Sequence, residues 1–389
     1  PGTCGVGYNS IRFDDEITRH LLYRNFFDPY EREWKNGNSR WDIIDMVRLT
    51  RALRPEGIEW PNYDDGTWSF RLEDLSNANR LQHEAAHDAL SDVYATIDLA
   101  RLVRKAQPRL YDYAFGLRDK RRVAALIDVR GQAPFLHVSS RLPRRNGYLG
   151  LMMPLCQHPT NSNAVVAINL SADPRPVLDL DAEALRDLMF TPSQELADEA
   201  VRPALKGVHL NRCPIVATPR LLDKAAAQRL HIDLDLCQRH WQQLRQRDIS
   251  DKLEQVFSAR EFAEQDVEGA LYEGFIPDGD RKLAVQVRSQ EAHELAAQDI
   301  EFSDRRYQEL LFRYRARYAP DTLSAEEAER WRQLRGAWFD GREPNILGIQ
   351  AYRTELDELS RDHTLSAAEQ ELLSSLREWG DQLAGVGAS

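Results

Sequence analysis

Two short stretches of the sequence hold acidic residues and a histidine whose types suit phosphodiester hydrolysis. In the first stretch, Asp14 follows a strand-like segment and opens a helical pattern. In the second, His87 lies five positions before Asp92, so both lie near the same end of one predicted helix. Carboxylate oxygens bind hard divalent ions, and a neutral histidine can take a proton from water near pH 7. This combination indicates metal-assisted hydrolysis.

Each of these residues also has a structural explanation that needs no chemistry. An aspartate at the start of a helix, such as Asp14, is most often a cap. His87 alone is most often a hydrogen-bonded core or surface histidine, and Asp92 alone is most often solvated. Spacing alone therefore favours the structural explanations over the catalytic hypothesis.

The elements that must position these residues change in type along the chain. Residues 1–108 predict an α/β domain, residues 109–258 a small β-barrel or sheet with added helices, and residues 259–389 an all-helical domain. The predicted strands lie at 4–8, 123–129, 135–138 and 164–170, and the predicted helices at 13–21, 47–53, 89–105, 218–257, 303–318, 324–339, 346–360 and 366–383.

Composition narrows the class of protein. The chain has 389 residues, of which 42% are hydrophobic and 29% charged, as in ordinary globular proteins. No apolar run reaches the roughly 18 residues of a membrane-spanning helix. The four cysteines show neither metal-finger spacing nor a disulfide framework, which favours a reducing cytoplasm. We therefore expect a cytoplasmic monomer without membrane contact.

The charge is unevenly distributed. The whole chain carries a net charge of −11, and residues 251–389 carry −12, whereas residues 101–150 carry +9. A local basic stretch matters more for phosphate binding than the sum over the chain. A solvated arginine-rich face explains the same stretch equally well, so charge alone leaves both alternatives open.

The two acidic stretches resemble the second and third motifs of the DEDDh exonucleases. Further segments are similar to the exodeoxyribonuclease I family in particular, and the resemblance covers essentially the whole chain. These segments are residues 23–30, 38–42, 52–58, 95–96, 107–110, 125–129, 209–214 and 311–317.

The resemblance implies a fold and a set of roles. The fold is a ribonuclease H-like α/β exonuclease domain, here partial, followed by a Src-homology-3-like β-barrel domain and a helical domain. Asp14 and Asp92 would be ligands of two Mg²⁺ ions, and His87 would be the general base. The family's first motif, Asp-x-Glu on the first strand, would lie ahead of Pro1. We therefore expect the chain as given to be N-terminally truncated and inactive or nearly so.

Contacts to DNA and to a partner protein follow from residue type and from the resemblance. Aromatic faces can stack on unpaired bases, and basic side chains can meet phosphates, although each aromatic is more often core and each arginine more often solvated. The resemblance adds a pocket for the acidic C-terminal tail of single-strand DNA-binding protein, at Arg54, Tyr113 and Arg245. The DNA-contact candidates are Arg54, Trp60, Trp68, Phe70, Arg71, Tyr113, Arg118, Lys120, Arg121 and Arg122.

The expected function is processive hydrolysis of single-stranded DNA from the 3′ end to 5′-mononucleotides. Two alternatives stay open at this point. The first is a non-catalytic protein that binds single-stranded DNA or acts as a scaffold. The second is an RNA-directed exonuclease of the same superfamily, which the long barrel and helical extensions disfavour.

Overall fold

The computed structural model describes residues 1–81, 89–192, 194–196, 201–258, 265–343, 346–361 and 365–387. The strands are β1 (Cys4–Gly7), β2 (Ser39–Asp42), β3 (Phe135–Val138), β4 (Leu149–Gln157), β5 (Ala164–Asn169), β6 (Leu205–His209) and β7 (Ile215–Ala217). The helices are α1 (Asp14–Arg24), α2 (Glu31–Trp34), α3 (Ile44–Leu53), α4 (Leu72–Ala78), α5 (Ala89–Ala106), α6 (Pro108–Gly116), α7 (Lys120–Ala125), α8 (Arg175–Asp179), α9 (Ala182–Phe190), α10 (Lys224–Arg229), α11 (Leu234–Arg245), α12 (Ser250–Ser258), α13 (Asp278–Arg288), α14 (Arg305–Tyr318), α15 (Ala325–Phe339), α16 (Ile349–Leu359) and α17 (Ala367–Gly387).

Contacts between residues divide the chain into two compact units. The first unit contains Pro1–Asp15 and Glu31–Glu261, and the second contains Glu16–Tyr30 and Phe262–Ser389. Most of α1 therefore groups with the C-terminal helices rather than with its neighbours in sequence. The three-domain division at residues 108 and 258 is linear along the chain and stays a prediction.

The first unit contains two sheets. β1 and β2 run parallel, with Cys4 opposite Ser39 and Gly7 opposite Asp42, so the strand expected at residues 4–8 is confirmed. The second sheet is antiparallel and has the order β6-β5-β4-β3-β7. Every residue of β3 and β5 is buried, as in strands whose two faces are both covered.

Helix α3 joins these two sheets into one hydrophobic core. It packs against β3, β4, β7 and α6, and its Met46, Val47 and Leu49 belong to the same buried cluster as Leu136 and Met152 of the second sheet. The loop after β1, the end of β2 and the edge of the second sheet are consequently held in fixed relation within this unit.

The strand predicted at residues 123–129 is wrong, because α7 covers residues 123–125 and residues 126–129 form turns and irregular structure. Asp119 caps this helix by accepting a hydrogen bond from the backbone N–H of Arg121, and only Val123 of the helix is buried. The apolar spacing suited a strand, but the cap and the basic residues before it favour a helical turn. The strands β2, β4, β6 and β7 were not predicted.

The helices α1 and α5 form as expected, but their apolar positions are not all buried. Phe13 and Leu21 are 63% and 57% exposed, whereas Arg19 and Tyr23 are buried. On α5, Leu90 is also exposed. Spacing alone thus identified the helices and not the faces that they bury.

The second unit has its own aromatic core. Phe26 lies 5.8 Å from Phe302 and 5.5 Å from Tyr307, measured between ring centroids. The four helices expected between residues 303 and 383 are confirmed as α14 to α17. A reciprocal capping box between Ser324 and Glu327 explains where α15 begins. Within the described ranges, every helix is too short or too polar to span a membrane.

Candidate active site

The candidate carboxylate Asp14 stands at the end of a tight loop that follows β1. Asn9 adopts a left-handed conformation with φ 60° and ψ 22°, which asparagine tolerates better than most residues. Ser10–Arg12 form one 3-10 turn, and α1 then begins at Asp14, whose side chain is exposed. The loop therefore leads from the carboxyl end of β1 directly into the helix that carries Asp14.

A buried carboxylate at the end of β2 holds this loop. Asp42 Oδ1 accepts hydrogen bonds from the backbone N–H groups of Asn9 (2.8 Å) and Ile44 (3.1 Å), and Oδ2 accepts one from Ile11 (3.2 Å). Burial raises the pKa of Asp42, and the three backbone N–H groups oppose that rise. Asp42 therefore fixes the path of the chain into Asp14 and the start of α3.

The residue after Asp14 is fixed by a buried ion-pair network. Asp15 is 5% exposed, and its carboxylate pairs with Arg40 at 2.6 Å and with Arg32 at 2.5 Å. Arg40 also pairs with Glu33 at 3.2 Å and donates a hydrogen bond to the Asn211 carbonyl oxygen at 3.2 Å. Since buried charges are stable only when paired, this network fixes the chain at Asp15, directly after the candidate ligand.

Asp92 lies in the first turn of α5 and is half-buried. Helix α5 buries Ala95, Leu99 and Val103 and packs on α4 and α6, so the turn that carries Asp92 is held by the core. His87 lies outside the described residues, and its place relative to Asp92 stays a prediction.

The donor chemistry of Asp14 and Asp92 suits a hard divalent ion such as Mg²⁺. Two carboxylates alone are a weak site, because a protein-held ion of this kind normally has further oxygen ligands. Among the described residues there is no group of three or more His, Cys, Asp or Glu side chains that could hold a metal ion. The described part of the chain therefore supplies suitable ligands for the metal ion but too few of them for a complete site.

A cavity of about 110 Å³ lies in the first unit next to the loop that precedes Asp14. It is bounded by that loop, by the start of α3, and by residues of β3, β6 and the segment before β7. Its charged and polar lining residues are Asn9, Arg12, Asp42, Asp45, Arg48, His137, Ser139, Lys206, His209 and Arg212.

Burial lowers the pKa of three basic groups that line this cavity. The pKa of His137 falls to about 3, that of His209 to about 4 and that of Lys206 to about 8, in each case mainly through desolvation. His137 Nδ1–H donates to the Ile215 carbonyl oxygen at 2.8 Å, whereas its Nε2 is buried with no hydrogen-bond partner in the described part of the chain. Both histidines are therefore neutral at pH 7.

The aromatic candidates for base stacking pack against the protein. Trp60 is half-buried and its Nε1–H donates to the Pro55 carbonyl oxygen at 2.8 Å. The guanidinium of Arg51 lies 3.9 Å from the centre of the half-buried Trp68 ring. Phe70 is only 7% exposed. Stacking of a base on Phe70 would require this ring to leave the core, and the role of all three rings stays a prediction.

The basic candidates for phosphate contact are more accessible. Arg71, Lys120, Arg121 and Arg122 are exposed. Arg71 pairs with Glu73 at 3.1 Å, and Lys120 donates to Asn163 Oδ1 at 3.1 Å.

Arg118 differs from these four, because its side chain is half-buried. Its guanidinium lies 3.4 Å from the centre of the Phe115 ring and donates to Ser39 Oγ at 2.6 Å. These contacts make Arg118 the least available of the basic candidates.

The three residues proposed for a partner tail all lie in the first unit. Arg54 is exposed at the end of α3. Tyr113 on α6 donates its hydroxyl hydrogen to the Val216 carbonyl oxygen at 2.7 Å. Arg245 is exposed at the end of α11, 4.8 Å from the centre of the Trp241 ring. Since α3 packs on α6, Arg54 and Tyr113 lie on neighbouring elements.

Sequence reasoning missed the residues that support Asp14. Asp42 and Arg40 lie in a segment noted only for its family resemblance, and Asp15 lies beside the candidate Asp14. A lone acid directly after a short strand is the signal that could have identified Asp42. Lys206 gave no signal, because its importance depends on burial beside residues distant in sequence.

Three family models match the chain, and together they cover most of it. They are Exonuclease over residues 1–100, Exonuclease I SH3-like domain over residues 118–259, and Exonuclease I C-terminal domain over residues 265–383. The chain is 42% identical to exodeoxyribonuclease I of Escherichia coli over 386 residues, which covers 98% of this chain and 80% of the relative.

Solved structures of that exonuclease superpose closely. Its complex with a dA16 oligonucleotide gives a TM-score of 0.91 at 42% identity, covering 98% of this chain and 81% of that one. A zinc-ion-bound form with single-stranded DNA gives a TM-score of 0.90 at 41% identity, and the match covers 99% of this chain and 81% of that one. An ExoI/SSB-Ct complex gives a TM-score of 0.90 at 41% identity, and the match covers 98% of this chain and 80% of that one. The fold is thus an exonuclease domain, an SH3-like domain and a helical domain, and the chain belongs to the exodeoxyribonuclease I family.

Proposed function

We propose that the function of this chain is processive hydrolysis of single-stranded DNA from the 3′ end to 5′-mononucleotides, once the first metal-binding motif of the family is joined to it. The observation that carries the proposal is the exonuclease match over residues 1–100, which contains Asp14, His87 and Asp92. The complex of a 42% identical exonuclease with a dA16 oligonucleotide supports single-stranded DNA as the substrate.

Asp14 and Asp92 are the proposed metal ligands, and Mg²⁺ is the proposed ion. Bound divalent ions would stabilise the negative charge that develops on the attacked phosphate. The zinc-bound form of the E. coli exonuclease supports metal dependence in the family. In the proposal, His87 accepts a proton from the attacking water, which needs a neutral imidazole within hydrogen-bonding distance of that water.

Asp15 and Asp42 are proposed as positioning residues for Asp14. The Asp15–Arg40 pair and the three bonds to Asp42 limit the movement of the chain on either side of Asp14. A metal ligand must be held in place by such neighbours to bind well.

Residues 1–389 on their own are proposed to have little or no activity. The support is the lack of a three-ligand metal group in the described ranges. The same observation favours the second candidate function, a protein that binds single-stranded DNA without cutting it.

The experiment uses DNA oligonucleotides labelled at either end, an RNA of the same sequence, and Mg²⁺ with and without excess chelator. Two chains are compared: residues 1–389, and the same residues joined to the first-motif segment of the E. coli relative. We expect the joined chain alone to shorten DNA from the 3′ end to 5′-mononucleotides, and only with free Mg²⁺. Binding of DNA by the folded joined chain without cleavage would support the non-catalytic alternative, and a preference for RNA would contradict the substrate assignment.

A partner protein is proposed as well. Arg54, Tyr113 and Arg245 would bind the acidic C-terminal tail of single-strand DNA-binding protein, in the cytoplasm where both proteins would meet DNA. The ExoI/SSB-Ct complex of a relative supports this proposal, and arginine suits carboxylate recognition.

The partner proposal is tested with a fluorescent peptide of that tail. Arg54→Ala and Arg245→Ala should each weaken binding about tenfold, since each removes a charge-assisted bond. Arg239→Ala on the same helix as Arg245 is the matched control, because Arg239 is also exposed. Equal affinities for all three variants and the unchanged chain would rule out this pocket.

A further inference from the structure

The cavity beside the Asp14 loop has an excess of positive charge. Four cationic side chains line it, Arg12, Arg48, Lys206 and Arg212, against two carboxylates, Asp42 and Asp45. With the histidines neutral, the lining has a net charge of about +2.

The two carboxylates of the lining are already engaged. Asp45 pairs with Arg48 at 2.6 Å, so that these two charges largely cancel. Asp42 accepts three backbone hydrogen bonds, from Asn9, Ile11 and Ile44. The charge of Lys206 is therefore not matched by an available carboxylate in the lining.

Lys206 is the group that most needs an anion. Its ammonium forms no hydrogen bond or ion pair with any residue that the structure describes. Burial is the main reason that its pKa falls to about 8, and the nearby charges of Arg12, Arg141 and Arg212 add to this effect while Asp45 opposes it. A partly buried ammonium without a partner is costly, and an anion beside it would remove much of that cost.

The other lining residues suit an oxyanion. Arg12 donates to Ser140 Oγ, which fixes the guanidinium at the edge of the cavity, and Ser139 lines its wall. Guanidinium, ammonium and hydroxyl groups around a small cavity are the donors that bind phosphate oxygens.

We propose that this cavity binds a phosphate group of the single-stranded DNA, on the 5′ side of the phosphate that is cut. The proposal rests on the proposed function. Arg12 is two residues before Asp14, so a phosphate here would lie close to the candidate metal ligand. An enzyme that works from the 3′ end releases the nucleotide beyond the cut, so a second phosphate near the site must belong to the retained strand.

The test measures the affinity of residues 1–389 for a fluorescent oligo(dT) in chelator, at a series of salt concentrations, so that no cleavage is needed. Lys206→Ala should raise the Kd about tenfold and lower the salt slope by about 0.7, the value for one lost phosphate contact on a single strand. Lys206→Arg should retain the Kd and the salt slope of the unchanged chain. Lys224→Ala, at an exposed lysine on α10, should change neither.

A second variant distinguishes loss of a phosphate contact from loss of the fold. Arg12→Gln removes a lining charge from an exposed side chain, and it should weaken binding in the same way. Unfolding midpoints are measured for every variant, and Lys206→Ala should unfold no earlier than the unchanged chain because it removes an unpaired ammonium.

Competition distinguishes the source of the phosphate. Inorganic phosphate and dTMP should displace the oligonucleotide only at far higher concentrations than unlabelled oligo(dT). If either binds in a Lys206-dependent manner while Lys206→Ala leaves oligonucleotide affinity unchanged, the cavity takes a free phosphate or the product, and the proposal is wrong. If Lys206→Ala and Arg12→Gln bind DNA like the unchanged chain, the cavity proposal alone fails. If the unchanged chain binds no DNA, the proposed function fails and this proposal fails with it.

Discussion

At the scale of single residues, the site depends on side chains that do no chemistry themselves. Asp14 is exposed, yet the loop before it is bound by Asp42 and the residue after it by Arg40. Asp42 is buried and accepts three hydrogen bonds, and loss of the bond from Ile11 would leave a buried N–H group unsatisfied. The position of the candidate ligand is thus a property of the end of β2.

The first prediction concerns Asp42→Asn. An amide nitrogen cannot accept a hydrogen bond, so either Ile11 loses its partner or Asn9 and Ile44 both lose theirs. We expect the free energy of unfolding to fall by about 1–3 kcal/mol, measured by urea denaturation. Asp112→Asn, at an exposed carboxylate, should change it by less than about 0.5 kcal/mol. An unchanged midpoint for Asp42→Asn would contradict the account of this loop.

The second prediction concerns pH and His137. Its pKa is about 3 in the folded protein, against an ordinary value of 6.5, because burial disfavours the imidazolium. The unfolded chain therefore takes up a proton below pH 6.5 that the folded chain does not, so stability is full above pH 6.5 and falls as the pH drops towards 3. Each such group contributes about 1.4 kcal/mol per pH unit.

His137→Gln should reduce this pH dependence by about one proton between pH 6 and pH 4. Urea denaturation across that range measures the slope, and His293→Gln, at a side chain 60% exposed, is the control. Equal slopes for the unchanged chain and His137→Gln would mean that His137 is not buried in its neutral form.

At the scale of elements, the packing of the second sheet depends on a close approach at Gly147. This residue follows a 3-10 turn and has φ +62°. A Cβ placed there would lie 2.5 Å from Cζ3 of Trp68 and 3.2 Å from Cδ2 of Leu230. Arg51 covers the Trp68 ring at 3.9 Å, so the ring has little freedom to move away.

Gly147→Ala should therefore lower the free energy of unfolding by about 2–5 kcal/mol, from the left-handed backbone and the overpacking together. Gly66→Ala is the matched control, because Gly66 has φ +78° but open space around its Cβ position. Gly66→Ala should lower the free energy of unfolding by only about 1–2 kcal/mol. Similar losses for both variants would show that Trp68 yields easily, which would favour its availability for a base.

Helices and strands differ in how well the sequence predicted them. The helices α14 to α17 were predictable because local spacing and caps such as Ser324 determine them. The strands β2, β4, β6 and β7 were missed. For β2, β6 and β7 the reason is that each pairs with a strand distant in sequence, which leaves only a weak local pattern. Residues 123–129 show the reverse error, because the helix capped by Asp119 extends to Ala125 and no strand follows it.

Some residues of the candidate site could be predicted from the sequence and others could not. Asp14, His87 and Asp92 could be named from residue type and resemblance, because each belongs to a local motif. Lys206 and His137 could not, since their unusual pKa values come mainly from burial in the fold; His137, for example, lies beside Ile215. Desolvation is a property of the folded environment and leaves no mark on the local sequence.

At the scale of the whole molecule, charge is separated along the chain. The basic residues 101–150 and the cavity residue Lys206 lie in the first unit, whereas residues 265–383, which match the C-terminal domain of the family, belong to the acidic part. A negative C-terminal part disfavours non-specific binding of nucleic acid there, so we attribute DNA affinity mainly to the first unit. The four cysteines are free, so no covalent cross-link contributes to stability.

The central claim is that His87, with Asp14 and Asp92, hydrolyses DNA in this family member. The most direct measurement is the single-turnover rate at which residues 1–389, joined to the first-motif segment of the E. coli relative, release the 3′-terminal nucleotide from labelled single-stranded DNA in Mg²⁺. His87→Ala should lower that rate by about 10²–10⁴-fold with DNA affinity and unfolding midpoint unchanged, while His293→Ala should leave it intact. A folded His87→Ala chain that releases nucleotides at the unchanged rate would contradict the account.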